Sequence, residues 1–209
     1  MKQMKITVLA LAVCLTTLTT QAQTIKDFFV PTSPKNKATF YTPSKTGGRT
    51  DMTRTIYYVD KGGSYDITDA KMFSGNPTAI QTKTVTFTDN EVKMTKSVST
   101  TMMETNKQRT HNPPTILLKM PAPGKTVTWS YTQISGDVLK CTASWTTLNV
   151  DGKDLKTIKV EQEIEGFGAK TIEYYVQGIG LHKTDMKGSD GKVQAFEKFD
   201  QLSHDPTAK

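Results

Sequence analysis

Few side chains in this chain have the types and spacing that bond-making chemistry requires. A glycosidase needs only two carboxylates at the right separation in a cleft, and Glu161, Glu163 and Glu165 offer three at period two. On an extended strand such neighbours stand about 7 Å apart, at a rise of roughly 3.4 Å per residue, which is near the span of an inverting pair. Lys156 and Lys159 lie among them, so the simpler reading is a solvated, salt-bridged strand face. His111, His182 and His204 are far apart, and no histidine or cysteine stands at metal-ligand spacing around any of them. The sequence therefore implies no metal and no cofactor. It also lacks a Gly-x-Ser-x-Gly elbow, a phosphate-cradling loop and a dinucleotide fingerprint. Cys141 falls in phase with Leu139, Ala143 and Trp145, which reads as a small core residue rather than a nucleophile. The expectation is a protein that is not an enzyme.

The aromatic residues point to binding instead. Trp129, Tyr131, Trp145 and Tyr174 are the expected ligand-contacting residues, with Phe87 and Phe196 on the same apolar face. A curved sheet with such a face either fills its interior with side chains or leaves a cavity for an acyl chain or other apolar ligand. A hydrophobic fraction of 35% leaves little surplus apolar surface for a large cavity.

The elements that must position these residues are strands. From Arg54 onward threonine, valine, isoleucine and aromatics recur at period two between glycine, asparagine and aspartate. Strands are expected at 55–59, 64–73, 80–88, 91–102, 115–120, 125–131, 138–150, 155–165, 169–177, 181–187 and 192–199. Asp89-Asn90, Asp151-Gly152 and Ser189-Asp190-Gly191 supply hairpin turns between neighbours, so the pairing is antiparallel. One face of each strand reads as buried: Ile158, Val160 and Ile164; Val127, Trp129 and Tyr131; Ile172, Tyr174 and Val176, the last set against Thr171, Glu173 and Gln177. The predicted class is all-β, a single domain of long antiparallel strands in a strongly curved sheet or open barrel with little helix. Residues 23–54 read as an irregular basic arm ahead of the β domain at 55–203, and a helical turn or two is expected at 77–81 or at 24–30. Residues 104–114, ending in Asn112-Pro113-Pro114, read as a polar connection dividing the sheet in two.

The address is the plainest signal. Lys2 and Lys5 precede an apolar run from Ile6 to Leu15, and Thr20-Gln21-Ala22 places small residues before Gln23, the pattern of a secretory signal peptide over residues 1–22. The apolar run is too short for the roughly 20 residues of a membrane span. Cleavage leaves 187 of the 209 residues, enough for one domain, and lowers the formal charge from +7 to +5. Cys14 leaves with the signal, so Cys141 has no intramolecular partner. The mild positive charge forms no stripe and carries no interleaved aromatic motif, which excludes a nucleic-acid partner.

Two stretches carry a resemblance. Leu117-Leu118-Lys119-Met120-Pro121-Ala122-Pro123-Gly124-Lys125-Thr126-Val127-Thr128-Trp129 and Tyr174-Tyr175-Val176-Gln177-Gly178-Ile179-Gly180-Leu181-His182-Lys183 resemble motifs of secreted β-rich envelope proteins of Gram-negative bacteria. The likeness covers residues 115–202. It implies a half-open antiparallel barrel reminiscent of periplasmic lipoprotein carriers, with Gly178 and Gly180 turning two strands through a bulge. No catalytic residue comes with it, and His182 stands where an apolar residue is expected.

The expected function is that of an exported, periplasmic or secreted, non-catalytic envelope protein. Its partner would be an apolar small molecule or lipid held near Trp129, Tyr131, Trp145 and Tyr174. The alternative is an interaction protein that joins other envelope proteins through its sheet edges.

Overall fold

The computed structural model describes residues 23–101, 105–133, 136–166 and 168–207; the expected signal peptide and Cys14 lie outside them. The period-two runs form twelve strands after one short helix, α1 (Lys26–Phe29). The first six are β1 (Lys37–Pro43), β2 (Arg49–Asp60), β3 (Tyr65–Phe73), β4 (Asn76–Phe87), β5 (Glu91–Thr101) and β6 (Lys107–Lys119). The second six are β7 (Thr126–Thr132), β8 (Val138–Val150), β9 (Lys153–Ile164), β10 (Lys170–Val176), β11 (Gly180–Lys187) and β12 (Val193–Ser203). All belong to one antiparallel sheet in the order β6-β5-β4-β3-β2-β1-β12-β11-β10-β9-β8-β7. Each strand pairs with its neighbours in sequence, β1 pairs with β12, and only β6 and β7 remain unpaired with each other. The sheet is therefore a nearly closed barrel of two six-stranded halves with one seam.

Turn residues set the register. At the β8–β9 hairpin Asp151 and Gly152 take φ of 51° and 79°, the positive values that a two-residue turn matched to strand twist requires. Across that hairpin Leu139, Cys141, Ala143 and Trp145 pair with Ile164, Gln162, Val160 and Ile158. Cross-strand partners share a face, so these point into the lumen together with Val127, Trp129 and Tyr131 of β7.

Three expectations need correction. Residues 31–53 are not an irregular arm: β1 and the first residues of β2 lie there, and β1 closes the ring between β2 and β12. Its signal is weak because Lys37–Pro43 is short, ends in proline and alternates with only Ala38 and Phe40 buried. Residues 105–114 are no simple connection either, since β6 runs through Pro113-Pro114. Proline is tolerated there because β6 is an edge strand, and its pairing with β5 breaks register between Met94 and Lys96. The division between the halves falls instead at residues 120–125. Finally, β10 has the opposite phase. Tyr175 pairs with Ile158 and Glu173 with Val160, which turns Tyr175 and Glu173 inward and Ile172, Tyr174 and Val176 outward. Ile172 is buried on that outer face, between its register partners Glu161 and Asp185.

Of the two places expected to form a helical turn, 77–81 lies within β4, while 24–30 holds α1, which plugs one end of the barrel. Ile25, Phe28, Phe29 and Val30 are all buried, each worth about 1.5–3 kcal/mol on removal from water. Helix energetics contribute nothing, because a helix in isolation needs roughly 12–15 residues to persist. Phe28 meets Trp145 edge-on at 5.3 Å, and Phe29 stacks on Tyr175 at 5.7 Å. The plug is clipped to the β10–β11 turn: Gly178 N–H donates to Asp27 O at 2.7 Å and Thr32 N–H to Gly178 O at 2.9 Å. Gly180, at φ 85°, has Phe29 O only 3.1 Å from where a Cβ would stand. No helix among the described residues is long and apolar enough to cross a membrane.

Gly180→Ala should cost about 1–3 kcal/mol from its backbone conformation and should also push α1 off the turn. Gly124→Ala carries a similar φ of 67° with nothing within 4 Å, so it should show the backbone cost alone. Urea denaturation of the two variants checks this: Gly180→Ala is expected to lose more stability than Gly124→Ala.

Candidate functional site

Above the α1 plug the lumen stays open as a cavity of about 440 Å³. Its floor is apolar, formed by Phe29, Ile56, Ile67, Met94, Leu117 and Leu181. Its walls are polar and charged: Arg54 and Asp69 on β2 and β3, Gln81 and Lys83 on β4, Gln162 and Glu173 on β9 and β10. The register explains the arrangement. One row across the strands reads Ile56, Asp69, Gln81, Ser99 and Lys107, and the next row toward α1 reads Tyr58, Ile67, Lys83 and Ser97.

A buried ion triad organises one wall. Arg54 donates two parallel bonds to Asp69, Nε to Oδ1 at 2.9 Å and Nη2 to Oδ2 at 2.7 Å, and a third from Nη1 to Glu197 Oε2 at 2.6 Å. The bidentate fork matches guanidinium to carboxylate geometry. Arg54, Asp69 and Glu197 are only 14%, 15% and 8% exposed at their side chains. Burial alone would push the Asp69 carboxyl up, but the Arg54 guanidinium overrides it and holds the group below its ordinary value. On the opposite wall Glu173 Oε2 accepts from Gln162 Nε2 and from the Tyr175 hydroxyl, both at 2.7 Å. Burial, reinforced by Glu173, raises the Tyr175 phenol far out of its ordinary range.

The residues expected to bind ligand are separated by the fold. Tyr131 lines the cavity. Trp129 and Trp145 face the lumen but are spent elsewhere: their indole N–H groups donate to the carbonyls of Ile116 at 3.1 Å and Pro121 at 2.8 Å. The first of these bonds spans the β6–β7 seam, as does Arg109 Nη1 to Gln133 O at 3.1 Å. Tyr174 lies on the outer face beneath the Lys183 ammonium, 4.4 Å from its ring centre. Sequence reasoning missed Arg54, Lys83, Glu173 and Glu197, because charged residues in a period-two strand read as its wet face. The available signal was an adjacent aromatic pair, Tyr174-Tyr175, which leaves the phase of β10 undetermined.

Ser97, His111 and the β9 glutamates are engaged with neighbours, whereas the buried His182 Nδ1 has no hydrogen-bond partner among the described residues. Ser97 Oγ stands 3.0 Å from His111 Nε2, a nucleophile–base distance, and Thr115 Oγ1 is 2.8 Å from Nδ1. Ser97 is fully buried and does not line the cavity. Glu161, Glu163 and Glu165 pair with Lys159 at 2.6 Å, Lys170 at 3.2 Å and Lys140 at 2.9 Å. Among the described residues no group of three or more His, Cys, Asp or Glu is placed to hold a metal. Burial lifts the Cys141 thiol to about 12.

No protein-family model and no curated protein matches the chain. Among solved structures it is similar to a Bacteroides fragilis protein proposed to be exported, with a YmcC-like fold, at 12% identity and a TM-score of 0.45 over 84% of this chain and 99% of that one. That likeness is too distant to bear on function.

Arg54→Met should destabilise the protein by roughly 3–5 kcal/mol, because Asp69 and Glu197 are left buried without a counter-charge. The triple variant Arg54→Met, Asp69→Leu, Glu197→Leu should recover most of that loss in the same denaturation experiment. The contribution of Asp69 in the native protein is complete above its ordinary value of about 3.9 and should vanish as the pH falls through its lower folded value. Cys141 should resist iodoacetamide at pH 8 in the folded protein and react once denatured, read by mass.

Proposed function

We propose that this is an exported, non-catalytic binding protein of the cell envelope that holds a small amphipathic molecule inside its barrel. The observation that carries the reading is the cavity itself, an apolar floor beneath a polar wall at about 440 Å³, within the range of small-molecule sites. The signal-peptide pattern at 1–22 supports export to the periplasm or beyond. The ligand contacts are Tyr131 and the floor and wall residues of the lumen. Trp129, Trp145 and Tyr174 act outside the pocket, the tryptophans as latches of the seam and plug.

Association through sheet edges is the weaker reading. The two edge strands already meet through Trp129 and Arg109, and β6 carries two adjacent prolines, which blunt strand addition.

Native mass spectrometry of protein secreted by its own signal and purified without detergent should show a small-molecule adduct that is lost on denaturation. A bare monomer from several exporting hosts, with no ligand gained from envelope lipid extracts, would refute the reading.

A further inference from the structure

Among the described residues, Lys83 is a cavity-wall cation whose charge the surrounding bonds do not account for. It sits on β4 between its register partners Ile67 and Ser97, where the polar wall meets the apolar floor, and it lines the cavity. Its ammonium carries three N–H donors. Among the described residues it has no hydrogen-bond or ion-pair partner; its charge interactions are at longer range, led by attraction to Asp69 and repulsion from Arg54.

The neighbouring carboxylates and the Ser97 hydroxyl are held by other donors and acceptors. Both oxygens of Asp69 take the Arg54 fork, Glu197 Oε2 takes its third bond, and Glu173 Oε2 holds Gln162 and Tyr175. The Ser97 hydroxyl is engaged with His111. Desolvation accordingly lowers the Lys83 pKa, since a buried charge without a partner is costly. The cavity is the open side from which a further acceptor can reach the Lys83 ammonium.

Resting on the proposal that the lumen binds a ligand, we infer that the ligand is an amphipathic acid whose carboxylate bonds Lys83 while its alkyl chain lies on Phe29, Ile56 and Leu181. The polar head then sits where the wall changes character, and the chain covers the floor. Lys107 also lines the cavity, one row further from α1 than Lys83 and paired with Ser99 in register. It is the cation that would compete for the same head group.

Decanoate and decan-1-ol, both below micellar concentration, separate charge recognition from simple filling of an apolar space. Isothermal titration of the intact protein should show decanoate binding about tenfold more tightly than the alcohol, the margin of one charge-assisted hydrogen bond. The preference should disappear in Lys83→Met, persist in Lys83→Arg and persist in Lys107→Met. Equal affinity for acid and alcohol in the unmodified protein would overturn the inference while leaving the cavity reading intact, and this arm needs no variant to fold. A preference retained in folded Lys83→Met and lost in Lys107→Met would overturn it in favour of the outer cation. Failure of both probes to bind would overturn it as well; a native adduct of non-acidic mass would then show that the cavity still binds something else.

Discussion

A sheet of twelve strands curled almost into a ring encloses more space than its inward side chains can fill. Barrel diameter grows with strand number, and about eight strands already give an interior just wide enough for side chains to pack. The rest of the molecule follows from how this chain meets that excess volume. At one end it brings in a separate piece of chain: Ile25, Phe28, Phe29 and Val30 fill the lumen from below, held by the Gly178 clip and admitted by the missing side chain at Gly180. At the other end it leaves the space open and lines it with charged groups, of which Arg54, Asp69 and Glu197 neutralise one another and Lys83 stands without a bonded partner among the described residues.

The Arg54 ion triad organises the wall at that open end. Arg54 cross-links β2, β3 and β12 through Asp69 and Glu197, tying strands that are sequence neighbours to one that arrives from the far end of the chain. Buried ion networks of this kind add little net stability over a hydrophobic equivalent. Their consequence here is spatial: ionised groups hold their hydrogen-bond distances, and apolar side chains in the same places would pack inward. The seam between β6 and β7 is bridged by side chains, with tryptophan and arginine reaching across to backbone carbonyls.

Period two and turn chemistry made most of this architecture legible. Apart from the start of β6 and the phase of β10, the strands from Thr55 onward fall where alternation and Asp-Gly or Asp-Asn turns place them, and the inward set Leu139, Cys141, Ala143 and Trp145 follows from its spacing. The helical turn at Lys26–Phe29 also stood in the sequence, although its role as a plug did not, because Phe28 and Phe29 acquire meaning only against Trp145 and Tyr175 from distant strands. β1 was hidden by its brevity and by prolines on either side. The site itself was the least legible part. Alternation assigns charged residues to the solvent face, and a cavity inverts that rule: Glu173 and Lys83 point inward because the inside is partly wet. The neighbouring tyrosines 174 and 175 satisfied either phase, and only pairing with Ile158 settles which one enters the lumen.

The central claim is that the space above the plug is a binding cavity. A high-resolution crystal structure of the protein secreted through its own signal, purified without detergent and without added ligand, tests it most directly. The account predicts continuous non-solvent density between Tyr131, Lys83 and the floor at Phe29. A lumen in which the strands close and these side chains meet one another, leaving no room for a ligand, would contradict it.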